Sequence, residues 1–216
     1  MMSRDRASGL ALIAGAAASL VIMALHPTGR ELYAAAGRSS VPAMVNVFVH
    51  SLAIASTPVM FFGALAVNRR FSSNDDALPT LAIVLWGFAM VAVALAATAS
   101  GLIAPGLIHH VTEGGDDAAG LRDVLTYNSH LNQAFARIHV GMSSAAILFW
   151  SIAILRTRAL PVRIGWYGAL VAPVLLILLF AGLRMTIHGF GLVMVLQAVW
   201  LIVTGLHLAR TAEPGR

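Results

Sequence analysis

Apolar residues fall in six long runs along this chain, and the short stretches between them hold nearly all of its charge. The runs cover about 7–25, 42–67, 79–104, 132–155, 164–183 and 186–209. Each is close to the roughly 20 residues with which an α-helix crosses about 30 Å of hydrocarbon. The pattern therefore predicts an all-α polytopic membrane bundle of six transmembrane helices, forming one domain over residues 1–216. The last two runs are separated by so short a turn around Arg184 that they pair as an antiparallel hairpin. The first run follows Arg4 and Arg6, as a secretory signal would, with Ala34, Ala35 and Ala36 as a possible cleavage site. Its length exceeds the roughly 7–15 apolar residues of a signal sequence and the cleavage site lies well beyond its end, so it reads as a retained helix.

The stretch 127–155, YNSHLNQAFARIHVGMSSAAILFWSIAIL, passes from a polar entrance into an apolar span. Asn132, His139 and Ser143 share one helical face, while His130, Gln133, Arg137, Gly141 and Ser144 lie roughly opposite. A helix polar on both sides shows neither to lipid at depth, so it belongs at the centre of the bundle; Arg137 has the alternative of reaching to the head groups. On the second helix Asn46, His50, Ala53 and Thr57 form one polar and small stripe, and on the sixth Arg184 and His188 share a face. Pro58 and Pro173 fall inside helices, where each removes a backbone donor and should bend the span. Gly9, Gly15, Gly101, Gly182 and Gly205 let helices pack closely. Residues 105–129 read as a long acidic loop, with a short helix around 118–125 that could act as a lid.

Composition agrees with the membrane reading: 59% of residues are hydrophobic, 11% are charged and the mean hydropathy is +0.84. Soluble domains carry about a quarter charged residues. All 14 basic residues are arginine, which excludes lysine Schiff-base chemistry, and the absence of cysteine excludes disulfides, thiolate metal sites and thiol nucleophiles. The net charge of +5 comes from arginines at helix ends and makes no nucleic-acid patch; the partner implied is the lipid bilayer, with protein partners unspecified. Arg4, Arg6, Arg69, Arg70, Arg156, Arg158, Arg163, Arg210 and Arg216 fall on one side, against Arg30, Arg38, Arg122 and Arg184 on the other. Positive charge favours the cytoplasmic side, so both termini are expected there. Trp150, Trp166 and Tyr167 flank the basic turn RTRALPVR as an interfacial belt would.

Candidate chemistry rests on histidine. There are eight, and on this topology all except His207 fall in or above the outer half of the membrane. Setting His50 over His139 aligns two similar segments, VFVHSLAIASTPVMFFGALAVNRR and ARIHVGMSSAAILFWSIAILRTR, on helices that run the same way. The two histidines are thus at matched depth, as axial ligands of a b-type haem would be. With His188, and His109 or His110, they would instead make a copper or zinc site. The plain alternative is that each hydrogen-bonds a neighbouring helix. Asn46, Thr57, Asn132, Arg137, Ser143 and Arg184 would line the site. No Asp or Glu falls in a predicted span, which lowers a carboxylate-driven transporter, and neither G-x-S-x-G nor H-E-x-x-H occurs. The expected function is haem or transition-metal binding at the outer half. A small-molecule transporter or channel with a polar vestibule, or an accessory subunit without a site, are the alternatives.

The run ILFWSIAILRTRALPVRIGWYG places an apolar helix, an arginine-bearing turn with Leu160 and Pro161, and a glycine-opened helix in succession. It resembles a stretch in uncharacterised bacterial multi-pass membrane proteins. The resemblance implies a bacterial inner-membrane setting and carries no activity, cofactor or site residue.

Overall fold

The computed structural model describes residues 3–27, 31–32, 41–71, 77–114 and 117–211. Arg30, Arg38, Arg216 and the alanines at 34–36 lie outside these residues. The chain folds into α1 (Arg4–Leu25), α2 (Val41–Arg69), α3 (Ala77–Ala97), a π-helical segment (Thr98–Ile103), α4 (Ala104–Glu113), α5 (Ala118–Thr157), α6 (Val162–Phe180) and α7 (Ile187–Arg210). No strand occurs among the described residues. Among the described residues six helices are long and apolar enough to cross a membrane, with α3, the π segment and α4 counting as one. Ser3 Oγ accepts the Arg6 amide at the start of α1 and Thr186 Oγ1 accepts the Gly189 amide at the start of α7, each at 3.3 Å, so both helices begin on side-chain caps.

The acidic loop expected at 105–129 is not a loop. The third span continues as helix to Glu113, Gly114 turns the chain at φ 73°, and α5 begins at Ala118. At 40 residues α5 is about 60 Å long by helical rise, twice the hydrocarbon thickness, so its first turns and α4 form a helical hairpin reaching beyond the span. Ile108, Val111 and Leu125 are its buried contacts. Of the acidic residues that suggested a loop, Glu113 and Asp123 are on exposed helical positions, Asp117 is the exposed residue just before α5, and Asp116 lies outside the described residues. The α6–α7 connection turns through Gly182 at φ 90°, with no neighbouring atom within 4 Å of a Cβ there; this glycine serves the turn and not helix packing.

The other glycines do pack. Gly9 on α1 meets Gly205 on α7 backbone to backbone, Gly15 receives Met60, and Gly63 receives Leu12. These contacts seat α1 between α2 and α7, and place the start of α1 beside the end of α7. Arg70 Nη2 bonds Asp5 Oδ2 at 2.8 Å, tying the end of α2 to the same place. We call this the arginine end and its opposite the histidine end. Trp150, expected at an interface, is fully buried: it stacks on Trp200 at 5.9 Å and 11° and meets Trp86 at 5.8 Å, joining α3, α5 and α7. Trp166 alone of the four tryptophans stays exposed.

Two prolines explain local departures from regular helix. Pro58 has no N–H for the Ile54 carbonyl, and Thr57 Oγ1 donates to that oxygen instead at 2.8 Å. Pro105 acts on a larger scale. The Ala104 amide reaches back five residues to the Ala99 carbonyl, which is the π-helical bond. The Ser100 carbonyl, five residues before Pro105, is then left without a backbone donor. Asn46 Nδ2 from α2 supplies one at 2.9 Å, and Asn128 Nδ2 from α5 adds a second donor to the Ala99 carbonyl at 2.8 Å. Asn46→Ala should therefore cost about 1–3 kcal/mol, the penalty of an orphaned buried carbonyl. A lowered melting temperature in detergent checks it, and Asn46→Asp, which keeps the shape but not the donor, should not restore stability.

Candidate functional site

The π segment brings Gly101 against His50, in whose ring a Cβ at 101 would lie. His50, 5% exposed on α2, is turned by a hydrogen bond from its Nδ1 to the Asn46 carbonyl at 2.7 Å. His26 follows the last residue of α1, and its Nδ1 bonds the Pro27 carbonyl at 2.8 Å. A carbonyl only accepts, so both Nδ1 atoms carry the hydrogen and both neutral rings present a bare Nε2 lone pair. Those two Nε2 atoms face each other at 3.2 Å, with ring centroids 4.7 Å apart. Two lone pairs repel at that distance unless a cation, a proton or a metal ion, sits between them. One turn away, Asn46 Oδ1 is buried and makes no hydrogen bond.

The pair opens onto a cavity of about 330 Å³ at the histidine end, whose lining includes Met23, Ser100, Asn132, Gln133, Met185 and Thr186. A second cavity of about 70 Å³ shares Met23, Ala53, Val93 and Phe190 with the first and contains His139. His139, 4% exposed, donates from Nδ1 to the Ala89 carbonyl at 3.0 Å and lies against Phe190, with ring centroids 6.0 Å apart. Its own carbonyl accepts from Ser143 Oγ at 2.6 Å, and Gln197 Nε2 donates to Ser143 and Ser144 at 2.9 and 3.0 Å. A buried polar network thus fixes α5 to α7 just past the second cavity.

The expected constellation is rearranged. The ring that meets His50 belongs to His26, while His139 lines the other cavity. Among the described residues no group of three His, Asp or Glu side chains is arranged to hold a metal ion, so the closed copper or zinc site of His50, His139, His188, His109 and His110 is not assembled. His188 is exposed at the start of α7. His109 and His110 are exposed on α4 and face Glu113 at 3.1 and 3.7 Å. Neither cavity is lined by both His50 and His139, so these two rings do not face each other across a common slot as axial haem ligands would. Of the other lining residues, Asn132 faces the first cavity and Thr57 lines the second beside His139, its hydroxyl bonded to the Ile54 carbonyl, whereas Asn46 and Ser143 are buried in backbone-capping bonds. Arg137 and Arg184 are exposed.

No family model, curated protein or solved structure matches the chain. The resemblance carried by residues 147–168 therefore gains no support. In the fold that stretch is the α5–α6 hairpin, closed by Arg158 at φ 57° and by Leu160, which is 2% exposed. What the fold shows is a multi-pass membrane-type bundle with a paired-histidine cavity at one end.

Two features of the site were absent from the sequence reading. His26 was counted among the outer histidines but not chosen, because it follows a helix and has no stripe of its own. Its signal is the His-Pro pair: Pro27 stops the helix, and the carbonyl of that residue then captures the ring. Gln197 was overlooked as a single amide in an apolar span, although an uncharged amide at that depth must find partners on a neighbouring helix.

Proposed function

We propose that this protein binds a transition-metal ion between His26 and His50 at the outer end of a membrane bundle. The facing Nε2 lone pairs, 3.2 Å apart with both Nδ1 atoms held by carbonyls, carry the reading. With nitrogen–metal bonds of about 2.0 Å, a tetrahedral or trigonal ion sets two ligand nitrogens about 3.3–3.5 Å apart. A backbone bond at Nδ1 is also the usual way a metal-ligating histidine is oriented. Asn132, Gln133 and the thioether of Met23 are further donors among the residues that line the cavity. Arginine asymmetry puts this end outside, so the ion enters from there.

The test is metal content and affinity of protein purified in detergent, titrated with zinc and with cuprous ion under reductant. His26→Ala and His50→Ala should each weaken binding at this site by at least the roughly 10–100-fold that loss of a supporting shell costs, with helicity unchanged. Binding that survives both substitutions would remove the site. If no metal binds and the pair instead shares a proton, a strongly deshielded imidazole proton should appear in the NMR spectrum, and the cavity would be left as a vestibule for a small polar solute. At about 330 Å³ it lies at the lower end of small-molecule pockets.

A further inference from the structure

The second cavity has a donor set of a different kind. Its lining contains Met23, Met60, Met90 and Met194 together with His139. Met60, Met90 and Met194 are 7%, 5% and 8% exposed. His139 Nδ1 is spent on the Ala89 carbonyl, so the nitrogen left to the ring is an Nε2 lone pair with no hydrogen bond among the described residues, beside a chamber lined mostly by apolar side chains. The ordinary use of buried methionine is to fill gaps. Here four of them surround about 70 Å³ that remains unfilled, beside a nitrogen lone pair without a partner. Ser19 Oγ, at 4.0 Å from Met60 Sδ, is engaged at 3.0 Å with the Gly15 carbonyl.

We infer that this chamber is a binding station for a soft monovalent cation, Cu(I) or Ag(I), held by His139 Nε2 and methionine thioethers. Soft thioether ligands favour Cu(I), and imidazole is compatible with it. Charge points the same way: every donor in the chamber is neutral, and no carboxylate lines it. The cost of taking an ion out of water rises with the square of its charge, so a divalent ion without a counter-charge is penalised about fourfold more than a monovalent one. The station stands apart from the His26–His50 reading, since neither of those residues lines it. If both hold, the two cavities, which share Met23 and Phe190, form successive stops for one class of ion.

Silver(I) is the probe, because it matches Cu(I) in softness and does not change oxidation state. Full-length protein in detergent is loaded with Ag(I), desalted and analysed for bound metal. Wild type should hold two ions per chain, His50→Ala one, the double variant Met60→Leu/Met194→Leu one, and the three substitutions together none. Leucine for methionine nearly conserves volume, and unchanged melting temperature in the ion-free protein identifies variants that remain folded. Zinc binding should be untouched by the methionine substitutions. Wild-type silver content in the folded methionine variant overturns the station, whereas loss at His50→Ala alone bears only on the outer pair. As a measurement that needs no variant, X-ray absorption of Cu(I)-loaded wild type should show sulfur neighbours; a spectrum with nitrogen and oxygen neighbours only would equally overturn it.

Discussion

Gly9→Ala and Gly205→Ala should each remove most of the folded protein, with losses above about 3 kcal/mol, beyond the usual range for overpacking. A Cβ at Gly9 would stand 2.7 Å from the Ala209 amide nitrogen, and one at Gly205 would stand 2.7 Å from the Gly9 carbonyl oxygen. Both obstacles are backbone, which cannot rotate aside as a side chain does. The only relief is for α1 to move away from α7. That movement also disturbs α2, because the Gly15–Met60 and Leu12–Gly63 contacts lock α1 to α2 on the other side. Lipid offers no hydrophobic drive to hold separated helices together. Fluorescence-detected gel filtration of detergent extracts should show the monodisperse peak lost for both variants. Gly191→Ala is the control: a Cβ there meets only the end of the Met23 side chain at 3.5 Å and should be tolerated.

Gly101→Ala should abolish metal binding at the outer pair and lower the melting temperature by several degrees. The new Cβ falls on the Cβ and Cγ of His50, so either the ring leaves His26 or the π segment shifts. Overpacking of this kind costs about 1–3 kcal/mol. The double variant Gly101→Ala/His50→Gly removes the obstacle, the His50 Cβ included, and should regain much of the stability without regaining the metal. This non-additivity separates a steric effect on His50 from general damage to the π segment. If the double variant is as unstable as the sum of the singles, Gly101 acts on the backbone and not through the histidine.

The six spans were legible because hydropathy and length decide them almost alone. Periodicity also located the most buried span: α5 carries the polar faces around His139 and is more deeply enclosed than any other helix. What failed was reading acidity as loop. Leu121, Leu125, Asn128 and Asn132 recur at helical spacing through the misread region, and that weak stripe is enough once α4 packs against it. The pairing of His50 failed for another reason. His139 turns into the inner cavity while His50 lines the outer one, and Asn46 fixes the His50 ring by a bond within its own helix, a rotation that helical spacing alone does not give. Trp150 was assigned to the interface from its place near arginines, although Trp86 and Trp200 stand at similar distances from that end of their own helices and share its depth. Pro105 could have signalled the π segment, since its missing donor leaves a carbonyl that only a side chain from elsewhere can satisfy.

The tryptophan stack gives the protein a built-in optical gauge. Three of its four tryptophans form one cluster on α3, α5 and α7, past the inner cavity on the way to the arginine end, and the fourth is exposed at Trp166. Replacing Trp166 by phenylalanine would leave emission from the cluster alone. An ion resting in either cavity touches none of the cluster, apart from Trp86 at the rim of the inner one. An ion moving on through the cluster would part rings stacked at 5.9 Å, expose indole to a polar path and shift its emission to the red. The colour of the cluster would then tell an ion held in the proposed stations from one that crosses it.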